Sequence, residues 1–581
     1  MTDKKTIGFV VSGIMDEFVE HLCKGVISAA EKENVNVVVI PVKYIDREMK
    51  GLPDVHEYQY QTNIKNITYT NVDVLIVSID TIDCLSTEEG RKRFMDELEK
   101  INVPIILTAA KMDGYPGVVF DNKTGINEGM KYLIEELEVK NICMLKTRDH
   151  NNDGHERYEA YRESMEKYGL TIGPNSVLST NLSRDCKEEC EWLIDNNPDM
   201  EAVICANDDV ALTFYDVMSE RGLVPGKDIK VMGFDNSVKG SMITPSLSTV
   251  DASGKKLGHI VFKMVRMMLE GWSVGQMTVP TRFIPRDSFG SLLDKDNVNE
   301  QILDKDNLDK YFHRVFFKFD DVAEKEHFDI LIEYKTLMNI LIDYIDDATY
   351  NPDRVVFLKN KLDEFFNTGV LDYTDTEILL AYVDRVRAAA MERFASYERK
   401  CQAYETYSMI LDKIIRTMRN DAQEYENIMN ESLFTLKTMV EDTLNFNQGN
   451  DESYANIVKN LSIFGVKNAY VYIYDEPIVH KQFDEFVMPD NVRLKVAMTG
   501  GRITCVPEHE QEMTIDHLFN NKFITNDYFN MILMPLYFKE KLYGSVLYDL
   551  TDVSYRSGDF LANQYATVAR VIDVLKHSDV Q

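Results

Sequence analysis

Long uncharged apolar runs are missing from this sequence. Nowhere do the roughly 18 residues needed by a membrane-crossing helix follow one another, and the most apolar stretches, such as 35–42, have the length of a strand. No membrane partner is expected. Cysteine is sparse, with eight residues over 581, and the one close pair, Cys186 and Cys190, lacks neighbours at zinc-ligand spacing. These read as reduced structural thiols, with no metal and no cofactor. Positive charge is also short: 64 Lys and Arg stand against 96 Asp and Glu, a net charge of −32. Nucleic-acid affinity comes largely from basic side chains displacing counterions, so direct nucleic-acid binding is disfavoured. The opening MTDKKTIGFVVSG enters a strand at once, without the apolar segment and cleavage site of a secretory signal, and predicts a cytoplasmic protein.

Catalytic signatures are absent as well. RGLVPGKD (221–228) superficially looks like a phosphate loop, but Gly222 and Gly226 are too close and Asp228 stands where Ser or Thr should hold magnesium. No Gly-x-Ser-x-Gly elbow, zinc-protease helix, kinase signature or cyclase Gly-Gly-Asp-Glu-Phe-like sequence occurs. Paired acids are common in so acidic a chain, so Asp208 with Asp209 or Asp235 gives no grounds for a general acid and base. The expectation is a protein that is not an enzyme.

What is present is ordinary globular composition, 44% hydrophobic and 28% charged, on a chain long enough for about three compact units. Residues 1–290 alternate strands and helices. Strands are predicted at 6–11, 35–41, 73–79, 105–108, 142–145, 202–205 and 229–233, with helices at 17–32, 88–100, 124–137, 155–168, 187–196 and 210–221. The strands are nearly continuous Val, Ile and Leu, as when helices cover both faces of a parallel sheet. So many units suit two doubly wound lobes better than one wide sheet, with a ligand between them. Polar residues follow the strands: Asp16 and Glu17, Asp80, Asn207 and Asp208, Asp235 and Asn236. Carboxylates and amides without metal-ligand spacing suit a neutral, hydroxyl-rich ligand.

Five blocks occur in a fixed order: VVFDNKTGINEGMKYLIEE (118–136), ERYEAYRESMEKYGL (156–170), AVICANDDVALTFYDVMSERGLVPGKDIKVMGFDNS (202–237), TPSLSTVDASGKKLG (244–258) and FIPRDSFG (283–290). Together they resemble the lactose-repressor and ribose-binding-protein type of sugar-binding domain, a type 1 periplasmic-binding-protein-like fold. The resemblance implies that Arg157, Asn207 and Asp235 contact the ligand. A guanidinium and a carboxylate form strong hydrogen bonds to hydroxyls, and Asn both donates and accepts, which suits a sugar or polyol. Asn207 is then ligand-facing, and Asp208 or Asp209 caps the helix that follows. The family's first loop offers aromatic residues to the sugar ring, which nominates Phe18, although a Phe opening a helix is as readily core. The sequence departs from the family pattern at Ala160, where a glycine is expected, and at 146–156, which is longer and more polar. The family's repressors carry a helix-turn-helix before this domain, and here the first strand begins at about Thr6.

Residues 291–449 are helix-rich. Asn351-Pro352-Asp353 and the capping box Thr374-Asp-Thr-Glu377 are helix starts. Tyr404, Tyr407, Leu411, Ile414 and Met418, then Tyr425, Met429, Leu433, Leu436 and Val440, form a heptad seam with one slip near Asp421. It predicts a signalling helix over 401–449, either a parallel coiled coil in a homodimer or an ordinary bundle helix, after a helical region at 291–400. Residues 450–581 predict a small α+β domain with strands at 467–476 and 492–501, a hairpin at 529–550 and a closing helix at 558–576. MPLYFKEKLYGSVLYDL (534–550) resembles the Pro-Leu…Gly-x-Leu hairpin of GAF-type domains. His509 and His517 near Glu510 and Asp516 read as surface histidines rather than metal ligands. The combined expectation is a sugar sensor for signal transduction or transcription regulation. Lobe closure passes through the helices to the GAF-like domain and then to an output partner, as in the sensory portion of a diguanylate-cyclase-type protein. The rivals are a sugar-processing enzyme using the same cleft and a dimerisation scaffold with degenerate pockets.

Overall fold

The computed structural model describes residues 4–581 except 14–16, 44, 46–54, 84–87, 148–151, 181–182, 291–301, 317–323, 347–351, 375, 395, 398–399, 402–403, 417–418, 420–436, 439, 442–450, 527 and 579–581. Two compact units result, one from 1–120, 254–279 and 426–581 and the other from 121–253 and 280–425. In chain order the strands are β1 (Thr6–Val11), β2 (Asn36–Pro41), β3 (Val74–Val77), β4 (Ile105–Thr108), β5 (Gly117–Asp121) and β6 (Ile142–Thr147). Then come β7 (Val177–Thr180), β8 (Ala202–Cys205), β9 (Lys230–Met232), β10 (Thr249–Asp251), β11 (Gln276–Pro280) and β12 (Arg282–Ile284). The last six are β13 (Ala469–Val479), β14 (Asn491–Thr499), β15 (Arg502–Cys505), β16 (Glu512–Thr514), β17 (Asn530–Phe538) and β18 (Lys541–Asp549).

In the first unit β1 lies between β2 and β3, all parallel, and β1, β2 and β3 are buried along their whole length. Helix Glu17–Lys32 packs against helix Gly254–Leu269, and α-helical cover explains why these strands carry apolar residues at every position. The outer side of β2 is taken by β17, parallel, with Asn530 opposite Val37 and Ile532 opposite Val39. From there the sheet continues antiparallel as β17-β18-β13-β14-β15, with β16 on β14, so one 12-stranded sheet runs from β11 to β15. The sequence reading set 450–581 apart as a domain reached through the helices; its strands instead extend the sheet of the first lobe. An apolar β2 with a bare edge would leave backbone donors and acceptors in an apolar wall, and β17 satisfies them.

A second contact holds the two parts together. The 3-10 segment Glu57–Asn66, for which the sequence offers no signal, turns its amides inward. Gln59 is fully buried; its Nε2 donates to the carbonyls of His480 (3.0 Å) and Lys539 (3.1 Å), and its Oε1 meets His480 Nδ1 at 2.8 Å. Asn63 donates to Pro41 (2.8 Å) and Leu533 (3.3 Å) carbonyls. The buried ammonium of Lys43 pairs with Asp559 at 2.6 Å, and the Tyr60 hydroxyl donates to the other oxygen of the same carboxylate at 2.8 Å. Burial, and the Asp559 charge after it, raises the Tyr60 hydroxyl well above the usual phenol range, so it stays a donor.

The second unit holds a parallel four-stranded sheet in the order β7-β6-β8-β9 and an antiparallel pair, β10 with β12. This is the alternating α/β arrangement expected, with β7, β10 and β12 added to the strands predicted for this part of the chain. Its helical part has its own core, built from Phe312, Phe316, Tyr334, Leu358, Phe365, Leu379 and neighbouring apolar residues. Helix Pro352–Phe366 starts at the predicted proline. The Thr374 hydroxyl donates to the Val315 carbonyl at 2.6 Å, tying the loop before helix Thr376–Arg393 to the preceding helices. Over 404–416, Ile410 and Ile414 enter this same core with Tyr407 against it, so the start of the predicted seam packs within the chain. Of the rest of the seam, positions 418 and 425–436 lie outside the described residues, and Val440 is exposed. Among the described residues no helix is long and apolar enough to cross a membrane.

If the 3-10 segment welds the last strands to the first lobe, Gln59→Leu leaves the Lys539 carbonyl and an imidazole nitrogen of His480 without their partner, while the His480 carbonyl keeps the Tyr58 hydroxyl. The expected cost is about 2 kcal/mol or more at roughly 1–3 kcal/mol per unsatisfied group. Urea unfolding followed by far-UV circular dichroism reads it; an unchanged midpoint would remove this role.

Candidate functional site

The carboxyl ends of β6, β8 and β9 in the second unit collect the predicted residues Arg157, Asn207 and Asp235. Arg157 projects from helix Asn152–Lys167 and is 8% exposed. Its Nε donates to Asn122 Oδ1 (3.0 Å), its Nη1 donates to the Ala206 carbonyl (2.8 Å), and its guanidinium carbon lies 3.5 Å from the centroid of the Phe234 ring. Two of its five donors and one face are thus committed to holding it still, and a planar cation over an aromatic ring is stabilised further when partly desolvated. Asn122 is buried and donates in turn to Asp153 and Glu156, each at 3.1 Å.

Asn122 opens helix Asn122–Lys131, whose cap is Asp121: one carboxylate oxygen accepts the amides of Lys123 and Thr124. Gly125 is required here because a Cβ would collide with Val250. The Asp-Asn-x-x-Gly stretch therefore encodes a cap, a clamp for Arg157 and a close approach. Asn122 was quoted in a sequence block but not nominated; its position one residue after a capping aspartate was the available signal.

Asn207 lies at the start of helix Asp208–Glu220, and its Oδ1 accepts the Val210 amide at 3.0 Å. The cap is thus Asn207 and not Asp208 or Asp209, a correction to the sequence reading. Asp208 turns back into the protein, 2% exposed, accepting from the Thr249 hydroxyl (2.6 Å) and the Ser237 amide (2.7 Å). Its carboxylate occupies the space that a side chain at Gly233 would need, which gives the Gly-Phe-Asp sequence its glycine. Burial pushes the Asp208 carboxyl up to about 6, against the pull of the Thr249 and Ser237 hydrogen bonds and the nearby Arg286 charge.

Asp235 and Asn236 follow with φ of 105° and 56°, backbone positions that L-residues seldom adopt and that concentrate at functional sites. Asp235 is exposed, with its amide donating to the Val250 carbonyl at 2.9 Å. Asn236 is held from two sides: its Nδ2 donates to Asp251 (3.0 Å) and its Oδ1 accepts from Arg286 Nη2 (2.6 Å). Arg286, 1% exposed, also donates from Nη1 to the Leu247 carbonyl at 2.8 Å. Sequence reasoning quoted Arg286 within FIPRDSFG without giving it a role; nothing local marks a buried arginine.

The remaining candidates belong to the first unit. Phe18 is half-buried and edge-to-face with Phe120, centroids 6.0 Å apart. Asp80 stands in the short helix Ile79–Asp83 just after β3, with its side chain outside the description, and Asp16 lies outside the described residues. Among the described residues no three His, Cys, Asp or Glu side chains are placed to hold a metal ion. His509 meets Glu510 and His517 meets Asn520, both at exposed positions.

Asp208 generates a pH test. Its folded pKa lies above the roughly 3.9 of an unfolded chain, so the native state binds the extra proton and stability from this group falls as pH rises from about 4 to 6. Across that window the stability of the wild type relative to Asp208→Asn should fall by about 2 to 3 kcal/mol. Urea unfolding at several pH values checks it, and a difference independent of pH would contradict the buried carboxyl's raised pKa.

A family model described as a periplasmic binding protein-like domain matches residues 132–289. The HTH-type transcriptional regulator RegA of Clostridium saccharobutylicum is 21% identical over 269 residues, covering 46% of this chain and 75% of that protein. The HTH-type transcriptional regulator IdnR of Escherichia coli (strain K12) is 23% identical over 280 residues, 45% of this chain and 82% of its own length. The ribose operon repressor of the same strain is 21% identical over 262 residues, 45% and 74%. Among solved structures, a complex of the transcriptional regulator CelR with cellobiose superposes with a TM-score of 0.41 at 20% identity, over 50% of this chain and 86% of that one. Roughly the first half of the chain is thus similar to LacI-type transcription regulators, and within it residues 132–289 match a periplasmic-binding-protein-like domain.

Proposed function

We propose that the constellation around Arg157 binds a sugar or polyol and that the chain is a ligand-responsive regulator, not an enzyme. The observation that carries this is the immobilised Arg157, stacked on Phe234 and clamped by Asn122 and Ala206, beside the capping Asn207 and the strained Asp235-Asn236 turn. A ligand with several hydroxyls needs donors and acceptors fixed in advance, because each side chain ordered on binding weakens affinity. The relatives support the class: they are transcription regulators, one of them the repressor of a ribose operon.

The regulatory step is the ligand's preference for the closed over the open lobe arrangement, which limits how far it can shift the signal. The last quarter is taken as a GAF-like module, supported by the antiparallel hairpin of β17 and β18 around a polar turn. Its strands continue the sheet of β2, which supports transmission by the first lobe itself rather than by the helical segment alone. Output passes to a partner, and the chain works as a homodimer in the cytoplasm.

A thermal-shift screen over monosaccharides, disaccharides, polyols and nucleosides tests the reading. At least one sugar or polyol should raise the melting temperature without being converted. Asp235→Asn, which tolerates the same backbone conformation, should weaken that ligand about tenfold or more, from a lost charge-assisted hydrogen bond of roughly 1.5–3 kcal/mol. A screen with no shift, turnover of the ligand, or full affinity in the variant would overturn it.

A further inference from the structure

Within the second unit a cavity of about 330 Å³ opens between its α/β part and its helical part. The α/β part supplies Tyr132, which follows helix Asn122–Lys131, and residues 282–285 on and after β12. The helical part supplies apolar and aromatic side chains such as Tyr311, Val315, Ile378 and Tyr382. The volume is that of sites which enclose small organic molecules.

The lining is held in place before any guest arrives. Phe283 packs against Tyr132 and Phe289, with ring centroids 5.8 and 5.0 Å away, and Tyr311 packs against Tyr382 at 6.1 Å. The Tyr382 hydroxyl is hydrogen-bonded to that of Tyr334 at 2.7 Å, which commits its polar end to the helical core. Side chains already ordered add little entropic cost when a ligand is enclosed.

Acidic and basic side chains also reach the lining, and the protein already engages them. Glu128 accepts the Phe283 amide at 2.8 Å, Arg282 meets Asp251 at 3.5 Å and has further partners, and Arg385 and His313 likewise have partners within the protein. A charged guest would give up its water for groups that are already matched, and its lost hydration would go uncompensated. An uncharged apolar guest loses little hydration and gains by leaving water.

We propose that this cavity is a second ligand site, for a small uncharged apolar molecule that bridges the α/β part and the helices of the unit. It shares no residue with the Arg157 constellation and does not rest on the sugar reading. β12, which contributes to the wall, pairs with β10 so that Ile284 lies opposite Thr249 and Arg282 opposite Asp251. Those two β10 residues hold Asp208 and Asn236, so the wall is one strand away from the turn that displays Asp235.

The test is isothermal titration of the full chain, without sugar, with 2-naphthalenemethanol and separately with 2-naphthoate and 2-naphthylmethylammonium. The uncharged alcohol should bind saturably at one site per chain, and each ion at least tenfold more weakly. Ala381→Trp, which fills the cavity from helix Thr376–Arg393, should abolish binding of the alcohol while the circular dichroism spectrum is kept. If that variant fails to fold, photolabelling of the unaltered chain with benzophenone, another uncharged apolar body, decides: adducts should fall on 282–285 or 378–385. No saturable binding of the alcohol, equal binding of either ion, undiminished binding in the folded variant, or adducts confined to other segments overturns the proposal. Each of these results leaves the sugar reading standing.

Discussion

The hydrogen-bonded edge between β2 and β17 organises the first unit. β2 is apolar on both faces, and a strand of that kind has no stable position at the rim of a sheet. Once β17 takes that edge, the strands after it must run antiparallel across β18, β13, β14 and β15, and the closing helix Gly558–Ser578 comes to rest against β17. The buried amides of Gln59 and Asn63 and the Lys43–Asp559 pair then find their partners on the other side of the join. Buried polar groups of this kind contribute little net stability compared with apolar packing, but they strongly disfavour any other register.

The second unit follows a different logic. Its candidate site is assembled from residues that immobilise one another: Phe234 under Arg157, Asn122 against its Nε, Arg286 and Asp251 on either side of Asn236. Asp208 is the hidden member. Its buried carboxyl reaches from the helix start to the β10 segment and the Ser237 amide, fixing the turn on which Asp235 is displayed. The cost of placing that carboxyl away from water is visible in its raised pKa, while the hydrogen bonds it accepts keep the turn in place.

Much of this was legible in the residues. Continuous Val, Ile and Leu located β4 and β8 to the residue, and helix Lys187–Asn196 was read with its bounds, because local pattern and tertiary burial agree there. The capping residue at 207–209 was misassigned because Asn and Asp both cap well; Asp208 turns inward to fill the space left by Gly233, and Asn207 takes the cap. The segment 57–66 was invisible, since its amides face inward for partners more than 400 residues away. The apolar character of β2 and β17 announced burial on two faces; it carried no information about which strand would be the neighbour.

That last pairing has a consequence for how the molecule is made. Asn36 receives the Phe529 amide from 493 residues further along the chain. At roughly 5–20 residues per second of synthesis, β2 waits on the order of tens of seconds for its neighbour. The second unit is encoded entirely by residue 425, so on the ribosome it can acquire its structure while the earlier-made first lobe is still incomplete. Birth order along the polypeptide and order of maturation are therefore reversed, and the nascent chain carries a sticky strand that a chaperone has reason to shield.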